Sequence, residues 1–201
     1  MKYELTDETI VVYGRTLHRI RALKDIGTSV KKGDLGGFVE SESNLSQEGN
    51  CWVYDSAKVF GSAEVYDSAE VFGSAEVYDS AEVYNSAKVF GEAKVCGKAE
   101  VYGNAKVYGK ATVFGEAKVC CKAEVTKATD VFTVTPIGSR NGTTTFYKAK
   151  DGRIFVKCGC KNTDIDTWLG MVQATHGDNK HAKAYRLAAQ IARLQISGEE
   201  E

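Results

Sequence analysis

The chain reads as a mainly β protein with three parts: an N-terminal cap hairpin over residues 1–34, a triangular parallel β-solenoid over 35–130, and a small ββαα module over 131–201. Three observations lead there: an unbroken six-residue period, a turn-forming residue type at one position of almost every unit, and a change of composition on both sides of the repeats. Twelve consecutive units from Val53 through Glu124 carry Val, an aromatic residue or Cys, a corner residue, a polar or charged residue, Ala, and then a charge or Thr. An α-helix cannot keep that period on one face, because six residues rotate by about 600° at 3.6 residues per turn. A strand-and-turn cycle can. With side chains alternating across a strand, Ala57 and Val59 point to one side while the charge between them and the aromatic after them point to the other.

The corner supports the cycle chemically. The residue after the aromatic is Asp55, Gly61, Asp67, Gly73, Asp79, Asn85, Gly91, Gly97, Gly103, Gly109 and Gly115, the residue types that tolerate positive φ, and only Cys121 departs. Three corners close a triangular coil of 18 residues, the separation that brings Val53 over Val71. The inward columns hold Val and Ala alone, so the prism should be packed and dry, each buried Val contributing about 1.5–3 kcal/mol of transfer free energy. A ligand has no room inside it.

Counting back by sixes from Ala57 places Cys51, Leu45 and Val39 on the alanine column and Gly49 on a corner, which carries the solenoid back to about residue 35 in degenerate form, as terminal repeats often are. The apolar runs Ile10–Tyr13 and Leu17–Leu23, joined through Gly14, predict a hairpin that covers the open end. Beyond Val125 and Val131 the pattern decays. Thr143–Tyr147 and Arg153–Cys158 alternate across Asp151-Gly152, a hairpin signal. A first helix is expected from a cap at Thr163, with Ile165, Trp168, Leu169 and Val172 on its buried face and a stop at Gly177. A second starts near Asp178 or Asn179 and shows Ala184, Leu187, Ala188, Ile191 and Leu194 on one stripe. The Ser-Gly-Glu-Glu-Glu end is expected to be disordered.

The units, aliphatic at the first position and small at the fifth, resemble the hexapeptide repeat of left-handed parallel β-helix proteins, with the glycine one place later than usual. That resemblance covers about half the chain and implies a left-handed coil and, as in many members, a trimer. The segment Gly33-Asp-Leu-Gly-Gly-Phe-Val-Glu-Ser-Glu-Ser-Asn-Leu-Ser-Gln-Glu-Gly-Asn-Cys-Trp-Val53 is similar to uncharacterised hexapeptide proteins of bacteria and their phages, which implies a phage or prophage origin. Members include acyltransferases, carbonic anhydrases and non-catalytic proteins, so the resemblance specifies fold more than function.

Composition narrows the classes. A net charge of −1 predicts no general affinity for nucleic acid or an anionic membrane. The start Met-Lys-Tyr-Glu-Leu-Thr-Asp lacks the basic and apolar regions of a secretion signal, and no apolar run reaches the length of a membrane span. The expected location is the cytoplasm, the host's if the protein is phage-encoded, with the six cysteines reduced. The acyltransferases of the resembled family use a histidine at a subunit boundary and a long loop. Here His18, His176 and His181 all lie outside the repeats, and no loop interrupts residues 53–124. The three converging histidines of the carbonic anhydrases are also missing. Cys158-Gly-Cys160 has no second pair to complete a zinc site and reads as a hairpin end, and His176 reads as a helix C-terminal residue. No cofactor or metal is expected.

The outward columns are the candidate binding surface. Stacked by 18, the aromatics form the ladders Tyr54, Phe72, Phe90, Tyr108; Phe60, Tyr78, Cys96, Phe114; and Tyr66, Tyr84, Tyr102, Cys120. The rungs are expected to stack on each other and still leave apolar stripes of the kind that meet another chain. Residues 53–88 carry two Lys against four Glu and three Asp, net −5, and residues 89–124 six Lys against four Glu, net +2. One column places Glu64, Glu82 and Glu100 over one another, an arrangement that needs solvent, lysines or a basic partner. These features predict a non-catalytic binding protein, oligomeric through a solenoid face, that captures a host protein or a small ligand such as a nucleotide. A phage origin would make that a counter-defence role. The alternative is an acyltransferase-like enzyme with a site near the C-terminal module, and the third is a structural or virion protein.

Overall fold

A computed structural model describes residues 1–197 of the chain. It is mainly β: a parallel β-solenoid of about 5 turns, left-handed, followed by an antiparallel sheet and two helices. The hairpin β1 (Tyr3–Val12) and β2 (Arg15–Ala22) leads to β3 (Leu35–Val39), and thirteen strands of two or three residues follow, from β4 (Trp52–Val53) to β16 (Glu124–Val125). β4 to β13 each pair in parallel with the strand 18 residues on, as Val53 with Val71 and Val65 with Val83, giving three faces. Every valine from Val53 to Val125 and every alanine from Ala57 to Ala123 on the two inward columns is buried, so one apolar column runs the length of the prism.

The corners explain the choice between glycine and aspartate. Asp55, Asp67, Asp79, Asn85 and Cys121 all have positive φ, as do the corner glycines. The coils also stack tightly here: a Cβ on Gly73 would sit 3.1 Å from the Gly91 amide nitrogen. Where aspartate is used, its carboxylate accepts the corner N–H of the next coil, Gly73 to Asp55 at 3.0 Å, Asn85 to Asp67 at 3.2 Å and Gly97 to Asp79 at 3.1 Å. These amides point along the stack and would otherwise face solvent.

The first coil corrects the backward count. Val39 pairs with Val59 and Leu45 with Val65, so both occupy the valine column, not the alanine column. The offset arises because Leu45 lies 20 residues before its partner whereas Trp52 lies 18 before Glu70; two extra residues are accommodated ahead of Gly49, which does take a corner conformation with φ of 66°. The hairpin does more than cover an end. β2 pairs antiparallel with β3, so the hairpin prolongs one face of the prism, while Lys2 and Tyr3 fold over its mouth. The Lys2 ammonium donates to the carbonyls of Glu48 and Cys51 and the Tyr3 hydroxyl to that of Leu45 at 2.7 Å, satisfying end-coil groups that have no coil beyond them. Burial holds the Lys2 ammonium below the usual lysine range.

At the other end the last amides, of Thr126 and Lys127, bond to the buried Asp130 carboxylate. The appended module is ββββαα rather than ββαα: β17 (Val131–Ile137), β18 (Gly142–Lys148), β19 (Ile154–Cys158) and β20 (Lys161–Asp164) form one antiparallel sheet, and α1 (Ile165–His176) and α2 (Lys180–Ser197) pack on it. β18 lies against the last coil, where the Thr145 hydroxyl accepts the Lys118 amide at 3.0 Å and Ala149 bridges Ala123. The hairpin at Asp151-Gly152 and the stop at Gly177 are present. The cap of α1 is Asp164, which accepts the Thr167 amide, not Thr163, whose residue pairs in β20. Ile165, Trp168 and Val172 are buried as expected.

The second helix buries a different stripe. Ala182, Tyr185, Ala188, Ala189, Ala192 and Ile196 face the module, while Leu187, Ile191 and Leu194 are 59%, 50% and 71% exposed. Alanines let α2 approach α1 and the sheet closely, and the Tyr185 ring fills the space between them against Trp168 at 5.1 Å. The expectation about the acidic end concerns residues 198–201, which lie outside the described residues.

Candidate functional site

The predicted ladders exist as stacks. Phe72–Phe90 and Phe90–Tyr108 lie with centroids 4.6 and 4.7 Å apart, Tyr66–Tyr84 and Tyr84–Tyr102 at 4.9 Å, and Phe60–Tyr78 at 5.1 Å, all nearly parallel. Tyr54 meets Phe72 edge-on at 6.5 Å. Stacking leaves most rungs half-buried and closes Phe60 off under the N-terminal hairpin with Leu17 and Phe38, so it is Phe114 whose ring stands open.

The acidic column is resolved by tyrosine as well as by lysine. Glu64, Glu82 and Glu100 lie in register, followed by Lys118. The Tyr66 hydroxyl donates to Glu82 at 2.8 Å, the Tyr84 hydroxyl to Glu100 at 3.1 Å, and the Lys118 ammonium caps the column on Glu100. Tyr66 and Tyr84 therefore each hold the carboxylate of the next coil, and burial together with that bond pushes their hydroxyls above the usual phenol range.

The third ladder runs from Tyr66 through Tyr84 to Tyr102 and ends at a cleft between the last coil and the appended sheet. This cleft has a volume of about 340 Å³. Its solenoid wall is Tyr102 and Lys118; its other wall is Thr143, Thr144 and Thr145 of β18, Lys157 and Cys158 of β19, and Arg140 from the turn between β17 and β18. That turn needs Gly138 at φ of 77°, and a Cβ there would strike the Tyr185 hydroxyl at 1.8 Å, so glycine admits the tyrosine to the cleft wall. The Arg140 guanidinium lies over Gly159, 3.0 Å from where a Cβ would stand.

Three cations thus line one cleft. Lys118 is paired with Glu100, and Arg140 and Lys157 have no carboxylate partner among the described residues. Burial, with the neighbouring Cys158, pushes the Tyr185 hydroxyl up to about 12, and the Arg140 charge pulls the other way. The Thr144 hydroxyl donates to the Cys158 sulfur at 3.3 Å. A second cavity of about 510 Å³ shares Arg140, Cys158 and Tyr185 with the first and continues over Trp168, Met171, Val172 and Ala174, with Lys161 and His176 at its edge.

None of these groups forms a nucleophile–base pair of the kind hydrolytic or acyl-transfer chemistry uses. His176 contacts the rings of His181 and Tyr185, at 5.8 and 5.9 Å, and His18 bonds the Thr6 carbonyl far away in the hairpin. No group of three His, Cys, Asp or Glu side chains among the described residues could hold a metal. Of the sequence-predicted residues, the structure brings Tyr102 to the cleft wall and Glu100 to Lys118; Tyr54, Phe72, Phe90 and Tyr108 lie on another face. Arg140, Lys157 and Lys118 were not singled out by sequence, since no local spacing links a solenoid lysine to a hairpin turn and a strand.

No family model matches the chain. It is 46% identical over 48 residues to the uncharacterized acetyltransferase YdcK of Escherichia coli K12. That stretch is 23% of this chain and 14% of the relative, so the match spans far less than two thirds of the other protein's length. No helix among the described residues is long and apolar enough to cross a membrane.

Proposed function

We propose that the protein is a non-catalytic binding protein in which the solenoid is a rigid support and the cleft beside Tyr102 takes a small anionic ligand. The observation that carries this reading is the convergence of Lys118, Arg140 and Lys157 on one concave site, beside which Glu100 pairs with Lys118 and Glu116 accepts the Thr143 hydroxyl. Such a set is stabilised by an incoming anion, since like charges lining a low-dielectric cleft repel one another until one arrives. Phosphoryl groups suit it best, because a planar guanidinium can bond two oxygens while the ammonium groups supply further donors.

Acyl transfer is the second reading, favoured by the partial relative named an acetyltransferase. Two assays separate them. Calorimetry of the full chain with pyrophosphate should show saturable binding that R140E and K157E each abolish; absence of binding by the native protein contradicts the proposal. Release of free thiol from acetyl-coenzyme A in the presence of amine acceptors should stay at the uncatalysed rate, and turnover lost in the same variants would establish the second reading instead. The proposal extends to self-association as a trimer through a solenoid face, read by light scattering at micromolar concentration; a monomer would reserve the ladders for a foreign partner. A phage origin and a counter-defence role in the host cytoplasm, with a host protein or a nucleotide signal as the captured species, rest on the sequence resemblance.

A further inference from the structure

We infer that the ligand is a nucleotide, its phosphate held at Arg140 and Lys157 and its base lodged in the adjoining cavity beside α1. This rests on the binding reading above and deepens it. The two cavities adjoin, since Arg140, Cys158 and Tyr185 line both. On the solenoid side of Arg140 the walls carry Lys118, Lys157 and three threonines, with Tyr102 and Ile137 beside them. On the helical side the lining is mixed: Trp168, Met171, Val172 and Ala174 are apolar, and Ser139, Lys161, Thr175 and His176 supply polar or charged groups.

A ligand that satisfies both halves must be anionic at one end and flat, apolar-faced and polar-edged at the other. A bare phosphate or sulfate leaves the second cavity unused, and a fatty acyl chain leaves its polar edge unpaired. A heteroaromatic base uses both. The volumes of about 340 and 510 Å³ fall within the range of ordinary small-molecule sites. Arg140, at the junction, is placed to meet the phosphate nearest the ribose.

The test compares inorganic phosphate, pyrophosphate, ribose 5-phosphate, nucleoside mono- and diphosphates, coenzyme A and a single-stranded oligonucleotide on the full chain by calorimetry. The native protein should bind at least one nucleotide about 10-fold more tightly than the matching base-free phosphate. Ala174→Trp, at an exposed position that fills the second cavity, should erase that ratio while leaving pyrophosphate affinity unchanged, and R140E should weaken both; circular dichroism and thermal melting verify that each variant folds. Equal affinity for nucleotide and base-free phosphate, or an unchanged ratio in A174W, overturns this inference while leaving the anion-binding reading standing. A preference confined to coenzyme A or to the oligonucleotide overturns it in favour of that ligand. No binding of any phosphate overturns both.

Discussion

A corner of this solenoid asks two things of a residue: a positive φ and something for the amide stacked above it. Glycine meets the first requirement and aspartate meets both, at Asp55, Asp67 and Asp79. Asp79→Gly should therefore cost about 1 kcal/mol, the net worth of one hydrogen bond, whereas Asp79→Ala adds the left-handed penalty of about 1–2 kcal/mol. Thermal or urea unfolding reads the order; an alanine variant as stable as the glycine variant would contradict it. Glu40 does the same work one coil earlier, accepting the Gly61 amide at 2.7 Å beside Arg15. The amide bond chiefly, and Arg15 after it, hold its carboxyl below the usual range. The stability it supplies is therefore present above about pH 4.3, its unfolded value, and is lost as pH falls through the lower folded value. Glu40→Gln should flatten the acid side of the melting-temperature profile, and an identical profile would show that the bond contributes nothing. Corner chemistry was legible in sequence because it repeats. The cleft was not, because Lys118, Arg140 and Lys157 each occur once and meet only through the packing of β18 against the last coil.

Among the elements, the solenoid strands were readable because alternation and period agree at every unit. Val83 is wholly buried among its column neighbours. Val83→Asp places an unpaired charge there and should lose soluble, folded protein altogether; a native-like circular dichroism spectrum would refute the inward assignment. The elements that sequence misread share a physical reason. β20 (Lys161–Asp164) has no apolar residue and is held by its ladder with β19, and β17 follows the last repeat closely enough to read as its decay. In α2 the heavier side chains, Leu187, Ile191 and Leu194, stand outside because the contact requires alanine-sized residues. Hydrophobic periodicity alone cannot tell a buried small-residue stripe from an exposed large one. The first coil slipped for a similar reason: two added residues ahead of Gly49 leave the apolar spacing intact while moving Val39 and Leu45 to the other inward column.

The molecule as a whole is a charged prism with different ends. Its first half is acidic, net −5 over residues 53–88, and its second half basic, net +2 over 89–124; the cleft opens at the basic end. That gradient should steer a small anion toward Arg140 and Lys157 and make its association fall with salt. The prism interior is filled by valine and alanine, so any ligand must bind outside it, and the appended sheet supplies the concavity that a bare solenoid lacks. Calorimetric titration of the native chain with pyrophosphate at low and at physiological salt, alongside R140E and K157E, is the most direct test. Saturable binding that weakens with salt and disappears in both folded variants is the predicted result, and a native protein that binds no phosphate, or variants that bind as well as it does, would contradict the assignment of the cleft.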